Sequence, residues 1–137
     1  MRNSLFGLLV AFVLAFSACG GLNKDAEVIS FVAELDKLSA EIVRAVDARP
    51  TAAGVEQAQQ ILDARKPELK AKFDQLKNLR GYELSQETAK KLTESVAKNV
   101  ESVGSLQIKH AEKSVGDADF GERLTKLSTG FTSILGV

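Results

Sequence analysis

The 137-residue chain has no tryptophan, one tyrosine, one histidine, one methionine and one cysteine. With a single cysteine no disulfide can form within the chain, so an oxidising compartment adds no covalent brace and the core must hold the fold alone. Only two prolines, Pro50 and Pro67, punctuate the sequence. No segment has the apolar–polar alternation of a half-buried strand, which argues against a sheet. An excess of charge is missing as well: 18 Lys and Arg balance 18 Asp and Glu. No nucleic-acid partner is expected from such a balance in the absence of a recognition motif. What the chain does have is alanine, leucine, glutamate, lysine and glutamine, all strong helix formers.

The longest apolar run lies at the amino end. Arg2 precedes it, and Leu5, Phe6, Leu8, Leu9, Val10, Phe12, Val13 and Leu14 make up most of Ser4 to Phe16. It is shorter than the roughly 20 residues of a comfortable membrane span. Small residues Ser17 and Ala18 then lead to Cys19, the order of parts found in an export signal. The stretch Phe16-Ser17-Ala18-Cys19 resembles the bacterial lipobox, in which an aliphatic and two small residues precede a cysteine. Phe16 departs from the usual leucine but keeps the position bulky and apolar.

The resemblance covers only these residues and the run before them. It implies lipidation at Cys19: diacylglycerol on the thiol, cleavage before Cys19 and acylation of the new amino group. Each acyl chain contributes about 0.8 kcal/mol per buried CH₂, and two chains are needed for stable anchoring. The competing readings are a plain secretory signal with an incidental cysteine and an uncleaved anchor. A buried structural cysteine fits poorly, because Gly20-Gly21 follows as a flexible joint. The expected organisation is a cleaved signal over 1–18, a lipidated tether over 19–23 and a helical domain over 24–137. Gly20 stands where an aspartate marks retention at the inner membrane, which favours the outer one.

The domain's apolar residues recur at intervals of three and four. Asn23 or Asp25 can cap a first helix whose stripe is Val28, Phe31, Val32, Leu35, Leu38, Ile42, Ala45 and Val46, ended at Arg49-Pro50. Thr51 caps a second helix with Val55, Ala58, Leu62, Leu69, Phe73, Leu76 and Leu79. Pro67 falls inside it, where it removes one hydrogen bond and crowds the Asp63 carbonyl. The apolar phase carries through from Leu62 to Leu69, which favours one kinked helix over two, with Gly81 as its stop.

After the link Tyr82-Glu83-Leu84, Ser85 caps a third helix predicted to run to about Val115. Its face is read as Ala89, Leu92, Val96, Val100, Val103 and Ala111, with Gln107 at the centre and Asn99 and His110 at the edge. Asp117 caps a fourth, with Phe120, Leu124, Leu127, Phe131 and Ile134, ended by Gly136. The expected fold class is all-α: an antiparallel four-helix bundle with a Pro-kinked second helix. Short connections at Pro50 and Gly116 favour antiparallel neighbours.

The inventory of reactive groups predicts no enzyme, no cofactor and no metal. A haem site like that of the four-helix b-type cytochromes needs a second axial ligand beside His110, and Met1 leaves with the signal. The Glu-x-x-His motif of di-iron bundles fails because Gln107 precedes His110 by three. Zinc needs at least three good ligands. No nucleophile elbow or phosphate-cradling glycine loop occurs. Exposed carboxylates leave a weak hard cation such as calcium as the least excluded ion.

Charge is uneven along the domain. Leu22 to Asp63 carries 4 basic and 8 acidic residues, and Arg65 to Arg80 carries 6 basic and 2 acidic. The basic stretch is expected to face the acidic first helix, an anionic lipid surface being the alternative. The preferred functional reading is a lipid-anchored envelope protein whose helical surface binds an envelope protein partner without catalysis. The alternatives are a carrier of an apolar ligand and a periplasmic chaperone. The Leu-Thr-x-x-Gln repeats of the small helical stress proteins are missing, since Leu92-Thr93-Glu94-Ser95-Val96 lacks the glutamine.

Overall fold

The computed structural model describes residues 24–80 and 83–137. Cys19, the tether and the signal lie outside the described residues, as do Asn23, Gly81 and Tyr82. Helices α1 (Asp25–Ala48), α2 (Ala52–Leu76), α3 (Gln86–Lys109), α4 (Ala111–Gly116) and α5 (Ala118–Thr132) are followed by a single 3₁₀ turn, Ser133–Leu135. The protein is an all-α helical bundle, with no strand among the described residues.

Local chemistry sets most of the boundaries. Thr51, Ser85 and Asp117 each cap a helix by accepting a backbone hydrogen bond three residues on, from Gly54, Thr88 and Phe120 at 3.3, 3.2 and 3.1 Å. Each oxygen satisfies one of the orphan donors of a first turn. Gly136 closes the last turn with a φ of 70°, a left-handed conformation that glycine adopts without steric cost. The start of α1 differs from expectation: Lys24 precedes it without a side-chain cap, and Asp25 is its first residue. Asp25 instead accepts the Ser85 N–H at 2.9 Å, pinning the start of α3 to the start of α1.

Helix α2 runs unbroken through Pro67, with the ring on the exposed side and the phase of Leu62 and Leu69 preserved. It ends at Leu76, earlier than the predicted stop at Gly81. Gly54 sits where α2 passes under the preceding turn. A Cβ there would collide with the Arg49 carbonyl oxygen, so only glycine allows the chain to reverse this tightly.

Helix directions alternate along the chain, and the sequence neighbours α1 and α2 pack together. Helices α2 and α3 stand diagonally across the bundle: α1 lies between them, and α5 packs against both from the far side. Two neighbouring pairs consequently run parallel. Contacts from α1 to α3 advance together, Asp25 with Ser85, Asp36 with Ser95, and Asp47 with His110. Gly130 of α5 approaches Leu62 of α2, where an added Cβ would come within 3.0 Å of a leucine methyl.

The core contains Phe31, Leu35, Leu38 and Ile42 from α1, Leu62 and Leu69 from α2, and Phe120, Leu124, Leu127 and Phe131 from α5. These are the stripes read from the sequence. Helix α3 departs from its predicted face. Ala89, Gln107 and Ala111 are exposed, and Leu92, Val96 and Val100 are only half-buried. Its buried residues are Thr88, Ser95, Asn99, Val103 and Leu106. The helix is rotated because polar groups on its inner side find partners on α1. It also ends at Lys109 rather than Val115: His110 leaves helical geometry, with φ −110° and ψ 22°, and a short α4 begins after it.

Candidate functional site

Two polar constellations join α1 to α3, both assembled from residues about sixty positions apart in sequence. The first is a buried seam at mid-length. Asn99 donates its amide to Asp36 Oδ1 at 2.5 Å and to the Ser95 carbonyl at 2.8 Å. Ser95 donates its hydroxyl to the same Asp36 oxygen at 2.8 Å, and Ser39 donates to the Asn99 amide oxygen. Among the described residues no buried side-chain nitrogen or oxygen is left without a partner. A fully satisfied seam carries no unsatisfied-group penalty, and it specifies the register of the two helices.

The second constellation closes the end of the bundle that carries the α1–α2 turn. Asp47 accepts Lys109 Nζ at 2.6 Å and lies 3.0 Å from His110 Nε2. Lys113 reaches the Pro50 carbonyl at 3.0 Å, and the His110 ring meets Phe120 edge-on with centroids 6.0 Å apart. His110 is thus wedged between α1 and α5 where α3 ends. Its contacts account for its position without a ligand. Among the described residues no group of three or more His, Cys, Asp or Glu side chains converges as a metal site would require.

Partial burial pushes the Asp47 carboxyl up, but the hydrogen bonds and charges of Lys109 and His110 outweigh it and hold it below the ordinary 3.8. A depressed carboxyl contributes stability that is fully present above that ordinary value and is lost as pH falls through the lowered one. Asp47→Asn is therefore expected to destabilise the domain by about 1 kcal/mol near pH 7, the scale of a good surface ion pair. The deficit should shrink as pH drops below about 3.8. Urea unfolding of both proteins at pH 7 and pH 2.5 checks it; an equal deficit at both values would contradict the assignment.

Two of the six basic residues in the stretch from Arg65 to Arg80 reach α1, the direction its charge pattern predicted. Lys72 holds both Glu34 oxygens, at 2.7 and 2.9 Å, and Arg65 lies 3.8 Å from Glu41. Lys70 and Lys77 both pair with Asp74.

Apolar surface is left outside the core at the junction of α3 and α4. Ile108 is 81% exposed and Val115 90% exposed, with exposed Ala111 between them. Ile108 stands before the break at His110, and Ala111 and Val115 lie on the short helix after it. Sequence inspection passed over Ile108, because it lies off the stripe assigned to the third helix. No family model, curated protein or solved structure matches the chain. No helix among the described residues is long and apolar enough to cross a membrane.

Proposed function

We propose that the protein is a cell-envelope lipoprotein, anchored through lipid on Cys19, whose helical domain binds another envelope protein without catalysis. The observation that carries the anchoring half is Phe16-Ser17-Ala18-Cys19, which follows an apolar run and stands five residues before the first described residue. The binding half draws support from the exposure of Ile108 and Val115, on either side of the break at His110. Large aliphatic side chains this exposed gain free energy when a partner covers them, about 1.5–3 kcal/mol for full burial of an isoleucine or valine. The outer membrane is the favoured location, on the strength of Gly20.

Photo-crosslinking residues placed at 108 and 115 in the full-length protein, in its own membrane, test this reading. A discrete protein adduct is expected from both positions and not from exposed Lys90 on the distant half of α3. Ile108→Glu and Val115→Glu should each weaken capture at the other position at least tenfold, because each buries a charge against the partner. Adducts as frequent at position 90 as at 108 would refute a partner surface here.

A further inference from the structure

Helix α1 carries six acidic residues, and all six are half-buried on its flanks. Glu27 pairs with Lys24 at 2.9 Å, Glu34 with Lys72 of α2 at 2.7 Å, and Glu41 with Arg65 of α2 at 3.8 Å. Asp47 pairs with Lys109, and Asp25 and Asp36 accept hydrogen bonds from the start and middle of α3. Because α1 lies between α2 and α3, acids on both of its sides meet donors on a neighbour.

What remains exposed on α1 is a single strip: Ile29, Ala33, Lys37, Ala40, Arg44 and Ala48. Intervals of three and four residues put them on one side of an uninterrupted helix. Lys37 and Arg44 are the only cations of α1, and among the described residues neither has an ion-pair or hydrogen-bond partner. A helix with six acidic and two basic residues thus shows solvent two positive charges and no negative one. Ile29, which is 50% exposed, stands one turn into the helix, at the end nearest Cys19.

Cys19 precedes Lys24 by five positions, which span at most about 18 Å of extended chain. Lys24 is fixed to the bundle, its N–H donated to the Glu83 carbonyl at 2.9 Å. A lipid on Cys19 therefore holds the start of α1 within that distance of a bilayer surface. The strip runs on from there for about 28 Å.

We propose that α1 lies along the anchoring bilayer, with this strip against anionic phospholipid headgroups. The inference rests on the lipid anchor at Cys19 and gives the anchored domain an orientation. Each cation close to an anionic surface adds about fivefold to the preference for lying down. The alanines keep the strip low, so Lys37 and Arg44 come within the Debye length of about 8 Å over which surface charge is felt at physiological salt. The anchor already confines the domain to the surface, so two cations and one isoleucine suffice to choose the face that turns toward it. Ile108 and Val115 belong to other elements and stay open to a protein partner.

The test uses full-length lipidated protein in vesicles of phosphatidylcholine, alone or in equal mixture with phosphatidylglycerol, with a nitroxide quencher on the headgroups. A fluorescent amino acid is placed at position 40, or at position 126 on the exposed side of α5. Position 40 should be quenched severalfold more in the anionic vesicles than in phosphatidylcholine alone, and position 126 in neither. Lys37→Gln and Arg44→Gln should each weaken the lying orientation about fivefold, and high salt should weaken it as well. Both side chains are exposed and unpartnered among the described residues, so neither change removes a contact within the domain. Flotation of the vesicles reads the anchor separately: protein that does not float with them overturns the lipid reading and this orientation together. Protein that floats while position 40 is unquenched, or equally quenched in both compositions, overturns the orientation alone. Shielding of position 40 that appears only as protein density rises assigns the strip to a second copy and overturns it too.

Discussion

Phe131→Ala is expected to lower the unfolding free energy of the domain by about 3–5 kcal/mol. The ring is fully buried, and its helix follows the close approach of Gly130 to Leu62. Removing it leaves a cavity in α5, the shortest of the four long helices, which has few other anchors: Phe120, Leu124 and Leu127. A domain of this size has a total stability of only about 5–15 kcal/mol. One truncation thus removes a large share of it. Leu35→Ala, at the centre of α1, should cost about 2–5 kcal/mol by the same argument. Leu76, which is 6% exposed in the last turn of α2, should fall at the lower end of that range because the chain there can relax into the gap. Urea unfolding followed by circular dichroism at 222 nm gives the three values. A loss under about 1 kcal/mol for Phe131→Ala would contradict the packing of α5.

Cys19→Ser is expected to abolish acylation altogether. The thioether to diacylglycerol is formed by the cysteine sulfur, and a serine hydroxyl is a far weaker nucleophile near neutral pH. On the proposed lipoprotein reading, a precursor without lipid is not cut by the lipoprotein peptidase, so the variant should keep the mass of its precursor. Growth with a fatty-acid analogue followed by mass spectrometry reads both effects. Wild type should incorporate label on a chain beginning at Cys19, and Cys19→Ser should incorporate none. Equal labelling of the two proteins would sink the lipoprotein reading while leaving the partner surface at Ile108 and Val115 open to its own test.

The two results bear on different parts of the chain, and the parts differ in how openly they are written in the sequence. Three of the four long helices present the apolar stripe that spacing alone predicts, because Leu35, Leu62 and Leu124 are buried by the same property that makes them periodic: they are apolar. The caps at Thr51, Ser85 and Asp117 were equally legible, since an N-cap depends on one side chain and a donor three residues away. The continuity of α2 through Pro67 followed from the unbroken phase of Leu62 and Leu69.

Helix α3 shows where this kind of reading stops. Periodicity placed its buried face on Val96 and Val100 and put Gln107 at the centre. The structure buries Ser95 and Asn99 instead and leaves Gln107 exposed. An asparagine is buried only when its amide is satisfied, and here the satisfaction comes from Asp36 and Ser39, residues about sixty positions earlier on another helix. A clue was available in Ser39, which lies between Leu38 and Ile42 on the stripe of α1. The break at His110 was hidden for the same reason: its contacts with Asp47 and Phe120 belong to two other helices.

By itself, then, the sequence determined the all-α class, the helix starts at Thr51, Ser85 and Asp117, and the apolar faces of α1, α2 and α5. These follow from local backbone preferences and from the water-avoidance of individual side chains. Only the tertiary structure decided the diagonal placement of α2 and α3, the parallel pairing of α1 with α3, the polar seam between them, the need for glycine at Gly54 and the exposure of Ile108. Each of those depends on which groups meet, because hydrogen bonds and burial are properties of pairs and neighbourhoods, and hydrophobic spacing along one chain does not record them.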